Sequence, residues 1–173
     1  IINNPNNPTA SLVSKNNLLK ITDKAKKHNT VVLIDEVFMD FVDDKQNYSL
    51  LKEAASVDNL SVLNSFTKLY SLAGIRIGYI VSNKNMIKLL GLKKYPWSVN
   101  SLAQIASAAA LEDKIFVKES LHLLNKNKKC LLEELDRIKE INANPSETNY
   151  LLIEIINHSL NSSELKNELI KEK

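Results

Sequence analysis

The chain has 173 residues, of which 44% are hydrophobic and 25% charged, which leaves room for one ordinary domain and part of another and excludes a collagen-like repeat, a disulfide scaffold and wholesale disorder. The 23 Lys plus Arg against 20 Asp plus Glu give a formal charge of only +3, and Lys and Glu interleave, so no basic face directs the chain to nucleic acid. The lone Cys130 cannot close an internal disulfide, and His28, His122 and His158 are too scattered to build a metal centre with it. No apolar run nears the roughly 20 residues of a membrane helix and no basic-then-apolar leader opens the sequence, so the expected location is cytoplasmic, with no membrane partner.

Ile1-Ile2 reads as the tail of a strand and Lys171-Glu172-Lys173 as an interrupted ending, so the chain is expected to be a fragment. The segment Asn3 to Thr9 is turn chemistry, because each proline fixes its own φ and holds the residue before it, Asn4 or Asn7, out of the helical region. Ser14 is a candidate cap for a helix reaching roughly His28, with Leu18, Ile21, Thr22 and Ala25 on one face. Val31 to Ile34 and Leu60 to Leu63 are short apolar runs suited to parallel strands buried on both faces, with a short helix over Leu50 to Ser56 between them. Ile75 to Val81 is a third strand candidate, with Gly74 and Gly78 where close backbone approach is needed. Helices are expected over Val99 to Leu111 and Ile115 to about Ile138, a loop over Asn142 to Glu147, a strand over Tyr150 to Ile156, and a terminal helix capped by Ser162 or Ser163. Strand, helix and strand in alternation predict an α/β fold with a mostly parallel, three-layer sheet.

Chemistry-bearing residues gather at the predicted carboxyl ends of the strands, where open α/β sheets place their ligands. Asp35 closes the first apolar run, although an Asp there serves equally well as a turn residue. Ser65, Thr67 and Lys68 follow the next strand, and a Lys on a loop is commonly just a solvated charge. Arg76 stands between Ile75 and Ile77 in a stretch fit for burial, where a guanidinium demands an anion or a structural ion pair. Together the set answers the needs of pyridoxal phosphate: an amine for the aldehyde, an acid for the pyridine nitrogen, and cationic and hydroxyl donors for the phosphate.

Four segments, Asn3 to Thr9 (NNPNNPT), Asp35 to Phe41 (DEVFMDF), Ser65 to Tyr79 (SFTKLYSLAGIRIGY) and Pro96 to Asn100 (PWSVN), carry a resemblance over nearly the whole length. The chain resembles the fold-type I pyridoxal-phosphate enzymes of the class I/II aminotransferase superfamily. Within it the likeness is greatest to threonine-phosphate decarboxylases of cobalamin synthesis and their relatives, the histidinol-phosphate aminotransferases; PWSVN and Phe38 favour the decarboxylase, Ser71-Leu72-Ala73-Gly74 the aminotransferases, so the expected activity is decarboxylation of threonine phosphate, with amino transfer from histidinol phosphate or another class I/II substrate as the alternative. The resemblance implies that Lys68 forms the Schiff base with the cofactor, that Asp35 pairs with the pyridine nitrogen, that Asn7 donates to the phenolic oxygen, and that Ser65, Thr67 and Arg76 hold the phosphate. It also implies a small phosphorylated amino acid or amine as substrate, and a homodimer in which Trp97 and Asn100 reach toward the partner's site; ordinary core packing is the alternative for Trp97. Residues 1–113 would be the latter part of the cofactor-binding large domain, and 114–173 a linking helix and the start of a smaller C-terminal domain.

Two positions depart from the family's pattern. Ala10 replaces a glycine, and Phe38 stands where a tyrosine often contacts the phenolic oxygen, so that Asn7 would make that contact alone. Upstream phosphate donors, a ring-stacking aromatic and a downstream carboxylate-binding arginine are not found in these residues, so the 173-residue chain alone is expected to bind cofactor weakly. Two rival readings carry less: Ser65-x-x-Lys68 as a penicillin-recognising motif lacks its Ser-Asp-Asn and Lys-Thr-Gly companions, and a ligand-sensing domain of a transcription regulator would need an upstream helix-turn-helix.

Overall fold

The computed structural model describes residues 1–156 and 161–172; His158 and Lys173, noted in the sequence, lie outside them. A four-stranded sheet has the order β1 (Ile2–Asn3), β2 (Val32–Asp35), β3 (Leu60–Ser65) and β4 (Gly78–Ser82). β1 and β3 flank β2 in parallel, whereas β4 returns antiparallel along β3. The Asn4-Pro5 and Asn7-Pro8 peptide bonds after β1 are cis.

Helix α1 (Lys15–Lys26) buries Leu18 and Thr22. Its start is set by backbone rather than by a side-chain cap: Ser14 is extended and its carbonyl accepts from the N–H groups of Asn17 and Leu18, while its hydroxyl caps nothing. The helix ends at Lys26, short of His28, and the turn after it contains a left-handed Asn29 (φ 52°), a conformation that asparagine tolerates better than most residues. Lys24 and Lys26 in the last turn complement the negative end of the helix dipole.

The core lies between α1, the Leu50–Ala54 turns and one face of the sheet, and joins Leu18, Val32, Ile34, Leu50, Ala54, Leu60 and Val62. Burying each Val or Leu side chain contributes roughly 1.5–3 kcal/mol. The expectation of strands buried on both faces holds for β3, where Leu60, Ser61 and Val62 are all buried, and is corrected for β2, where Val32 and Ile34 are buried but Leu33 and Asp35 only half so. The half-open face leads to the cavity described below.

The expected helix over Leu50 to Ser56 is only a 3₁₀ turn, Glu53–Ala55, and the strand expected from Ile75 begins at Gly78, after a 3₁₀ turn over Ala73–Ile75. Helix α2 (Lys84–Lys93), which the sequence reading did not anticipate, is capped by Asn83 Oδ1 and buries no residue. Helix α3 (Ser101–Glu112) is capped by Asn100, and α4 (Lys114–Leu135) by Asp113, whose Oδ1 accepts from the Phe116 N–H at 2.8 Å.

Val117, Leu121 and Leu124 of α4 pack against a second buried cluster, Phe38, Phe41 and Leu69. Beyond α4, β5 (Ile141–Ala143) and β6 (Ile153–Ile155) form a separate antiparallel pair. β5 occupies part of the expected loop, and β6 is shorter than expected. Helix α5 (Ser162–Lys171) is capped by Asn161, one position before the expected serines, in a capping box with Glu164. No described helix is long and apolar enough to cross a membrane.

Candidate active site

The parallel register sets Asn3, Asp35 and Leu63 side by side in one row across the carboxyl ends of β1, β2 and β3. Asp35 Oδ1 accepts from the Val37 N–H at 3.1 Å, so one carboxylate oxygen does serve the turn that ends β2. Residue by residue, β3 then delivers Ser65 to its end. The Ser65 hydroxyl accepts from the Thr67 N–H at 3.1 Å, lies 2.9 Å from Thr67 Oγ1 and reaches the Ile77 carbonyl at 3.2 Å. This tight side-chain turn fixes where the chain leaves the sheet and so where Lys68 begins.

A cavity of about 410 Å³ opens there, lined by Ser65, Thr67, Lys68 and Arg76, with Val37, Leu63, Asn64, Ile77 and Gly78. Four of the residues expected at the site are therefore brought together. Asp35 is not among the lining residues, but its cross-strand neighbour Leu63 and the recipient of its carboxylate contact, Val37, both are. Asn7 is exposed in the turn after β1, where its N–H donates to Asn3 Oδ1 at 2.6 Å, and it does not line the cavity.

Arg76 departs from expectation. It is exposed rather than buried, because β4 starts two residues later; Arg76 ends a 3₁₀ turn in the left-handed region (φ 55°) and its Nη1 donates to the Ala73 carbonyl at 2.9 Å. A guanidinium at a solvated rim needs no buried counter-ion, so the inference of an obligatory anion from burial fails, while its place on the cavity wall stands. Gly74 has open space where a Cβ would stand; at Gly78 a Cβ would come 2.7 Å from the Asn64 carbonyl oxygen, so only Gly78 answers to close backbone approach.

Lys68 is exposed, and its Nζ stands 5.3 Å from the centroid of the Phe38 ring, within reach of the ring's negative face. Phe38 is only 8% exposed and is held edge-on by Tyr150, the ring centroids being 5.0 Å apart at 80°. Tyr150, which the sequence reads only as the start of a strand, comes from the far end of the chain, and burial pushes its phenol above the ordinary range. Its hydroxyl donates to the Asn6 carbonyl at 2.9 Å. Nothing in its surroundings in the sequence distinguishes Tyr150 from an ordinary strand aromatic.

Ala10 adopts φ 56° while only 3% exposed, so the turn does require the left-handed backbone that glycine supplies at about 1–2 kcal/mol less strain. Trp97 is 97% exposed with φ 61°, so it joins neither buried cluster of the described residues. Asn100 is engaged within its own chain, accepting from the Ala103 N–H at 2.8 Å and donating to the Ile75 carbonyl at 3.3 Å. Among the described residues no group of three His, Cys, Asp or Glu side chains could hold a metal ion.

An amine, two hydroxyls and a guanidinium stand about one cavity at the end of a parallel strand, and groups of these kinds can hold a phosphorylated aldehyde. The model of the family described as aminotransferase class I and II matches residues 1–173, and the chain belongs to that family. Its cofactor is pyridoxal phosphate, and the donor set fits that group.

Among similar proteins, a histidinol-phosphate aminotransferase of Thermoanaerobacter sp. is 35% identical over 150 residues, which cover 87% of this chain and 40% of that protein. One of Methanococcus aeolicus is 35% identical over 167 residues, covering 96% of this chain and 43% of that protein. The chain thus spans less than half the length of these curated relatives. The crystal structure of the histidinol-phosphate aminotransferase from Clostridium acetobutylicum superposes with a TM-score of 0.89 at 30% identity, covering 99% of this chain and 51% of that one. That of L-threonine-O-3-phosphate decarboxylase from Porphyromonas gingivalis gives 0.81 at 25% identity, with the same coverage of 99% and 51%. The parallel-rich sheet is accordingly that of the fold-type I enzymes.

Proposed function

We propose that the whole protein is a pyridoxal-phosphate enzyme acting on a small phosphorylated amine or amino acid, with amino transfer from histidinol phosphate as the leading reading. The observation that carries the site is the convergence of Ser65, Thr67, Lys68 and Arg76 on one cavity; the choice of substrate leans on relatives of up to 35% identity named as histidinol-phosphate aminotransferases. In this reading Lys68 Nζ would hold the cofactor's aldehyde carbon until the substrate amine displaces it there, and the amine so freed would move the proton at the substrate α-carbon. Ser65 and Thr67 hydroxyls and the Arg76 guanidinium bind the phosphate, a role in which charge-assisted bonds are about twice as strong as neutral ones. Asp35 would pair with the pyridine nitrogen and keep it protonated, and Asn7 would donate to the phenolic oxygen. The bound cofactor supplies the electron sink for charge at the substrate carbon.

Threonine-phosphate decarboxylation is the second reading, favoured by Phe38, which offers no hydroxyl at the lysine. Residues 1–113 then form the latter part of the cofactor domain and 114–173 lead into a smaller domain, a division supported by the Asp113 cap of α4 and the separate β5–β6 pair. A homodimer fits the exposed Trp97.

The test is to give the whole protein histidinol phosphate with a 2-oxo acid, and separately threonine phosphate, following amino transfer and carbon dioxide release. Lys68→Ala should abolish whichever reaction occurs and the visible absorbance of lysine-bound cofactor. Retention of that absorbance in Lys68→Ala would overturn the site. Carbon dioxide from threonine phosphate without amino transfer would replace the first reading by the second.

A further inference from the structure

The peptide unit joining Asn6 to Asn7 is held from several sides. The Asn6 carbonyl accepts from the Ala10 N–H at 2.7 Å and from the Tyr150 hydroxyl at 2.9 Å, and the Asn7 N–H donates to Asn3 Oδ1 at 2.6 Å. Two of these three contacts are local to the turn after β1. The third crosses 144 positions of sequence. The same Tyr150 ring stands edge-on to Phe38, whose face lies under the Lys68 amine. Val117, Leu121 and Leu124 of α4 pack on the same cluster of Phe38, Phe41 and Leu69 that the half-buried Tyr150 packs on.

From this geometry we infer that Tyr150 is a positioning residue of the cofactor site, its hydroxyl fixing the peptide that carries Asn7 and its ring fixing the Phe38 floor beneath Lys68. The inference rests on the cofactor reading proposed above. Tyr150 acts through these neighbours and reaches no reacting atom. Two groups assigned to adjacent substituents of one planar cofactor, the Asn7 amide at the phenolic oxygen and the Lys68 amine at the neighbouring aldehyde carbon, are thereby referred to a single side chain. Small misplacements of such groups are costly, because orientation supplies a large share of what an active site does.

The experiment compares Tyr150→Phe and Tyr150→Leu with the unchanged whole protein, reading the pyridoxal-phosphate dissociation constant, the absorbance band of the bound cofactor and the urea unfolding midpoint. Tyr150→Phe keeps the ring and loses one neutral hydrogen bond, so the dissociation constant should rise about fivefold with the absorbance band unmoved. Tyr150→Leu removes the edge-on contact as well and should weaken binding by about a further fivefold and shift the band, because the floor under Lys68 is released. A role in folding alone would lower the unfolding midpoint and leave affinity and band unchanged in the folded protein; that result overturns the inference. If Tyr150→Leu does not fold, the Tyr150→Phe affinity decides. Lys68→Ala in the same titration separates the two claims. Loss of the band there with wild-type affinity in Tyr150→Phe removes the role of Tyr150 alone, and retention of the band removes the site reading and this inference with it.

Discussion

Gly78→Ala tests how closely the site depends on the spacing of β3 and β4. Gly78 pairs with Ser65 in the antiparallel ladder, and a Cβ there would lie 2.7 Å from the Asn64 carbonyl oxygen, 3.6 Å from Ser65 Cα and 3.7 Å from Ser65 Cβ. Ordinary contact begins near 3.4 Å, and the obstructing atom is backbone in a paired strand, so no side chain can rotate aside. The strands must separate by several tenths of an ångström just where Ser65 turns out of the sheet. Overpacking of this kind costs about 1–3 kcal/mol, partly offset by the 0.4–1 kcal/mol that a Gly to Ala change contributes through the unfolded state. The net expectation is a loss of roughly 0.5–2 kcal/mol in urea unfolding of the whole protein, with weaker cofactor binding because Ser65, Thr67 and Lys68 shift together. Gly74→Ala is the internal control: a Cβ there meets nothing within 4 Å, and no glycine in the chain has a positive φ, so stability should be unchanged or rise by up to about 1 kcal/mol. Equal behaviour of the two variants would refute the reasoning.

Glu36 is fully buried, its carboxylate accepting from the Ser49 hydroxyl and the Leu50 N–H, each at 2.6 Å, and burial, the largest influence, raises its pKa above 4.5. Its contribution to stability is full below pH 4.5 and is lost as pH rises through the higher folded-state value, so the stability of Glu36→Gln relative to wild type should grow with pH above 4.5; urea midpoints that stay a constant distance apart across that range would count against this. Asn4, with no exposed surface, joins Val13 and Tyr48 through three hydrogen bonds, Nδ2 donating to both carbonyls and Oδ1 accepting from the Val13 N–H. Asn4→Ala should cost about 2–4 kcal/mol in the same unfolding measurement, and a loss below about 0.5 kcal/mol would show that the turn holds without it.

Where the sequence was legible, the physics was local. Val31 to Ile34 and Leu60 to Leu63 read as strands because an apolar run closed by polar residues has few other uses, and both lie in the parallel sheet. The cap of α5 was placed too late, at Ser162 or Ser163, although Glu164 three positions after Asn161 completes a capping box that neither serine can form. Helix α2 escaped notice because it buries no residue, leaving its apolar positions without a face to declare. Arg76 looked buried from its isoleucine neighbours, but a left-handed backbone at a turn leaves no local mark in a non-glycine residue. At the site, Ser65, Thr67 and Lys68 were found because they are adjacent in sequence, whereas Tyr150 depends on a contact from the opposite end of the chain.

The antiparallel return of β4 has a consequence for how the cavity responds to force. Lys68 and Arg76 ride on one excursion of chain whose two feet, Ser65 and Gly78, stand opposite each other in the antiparallel ladder, with the Ser65 hydroxyl stitched to Ile77 at the base. Amine and guanidinium therefore share a pedestal: a pull on one is transmitted to the other through the clasp, not through the wider sheet. Lengthening this excursion would put slack between the two cations without disturbing any strand, and so offers a way to vary the reach of the site while the scaffold stays constant.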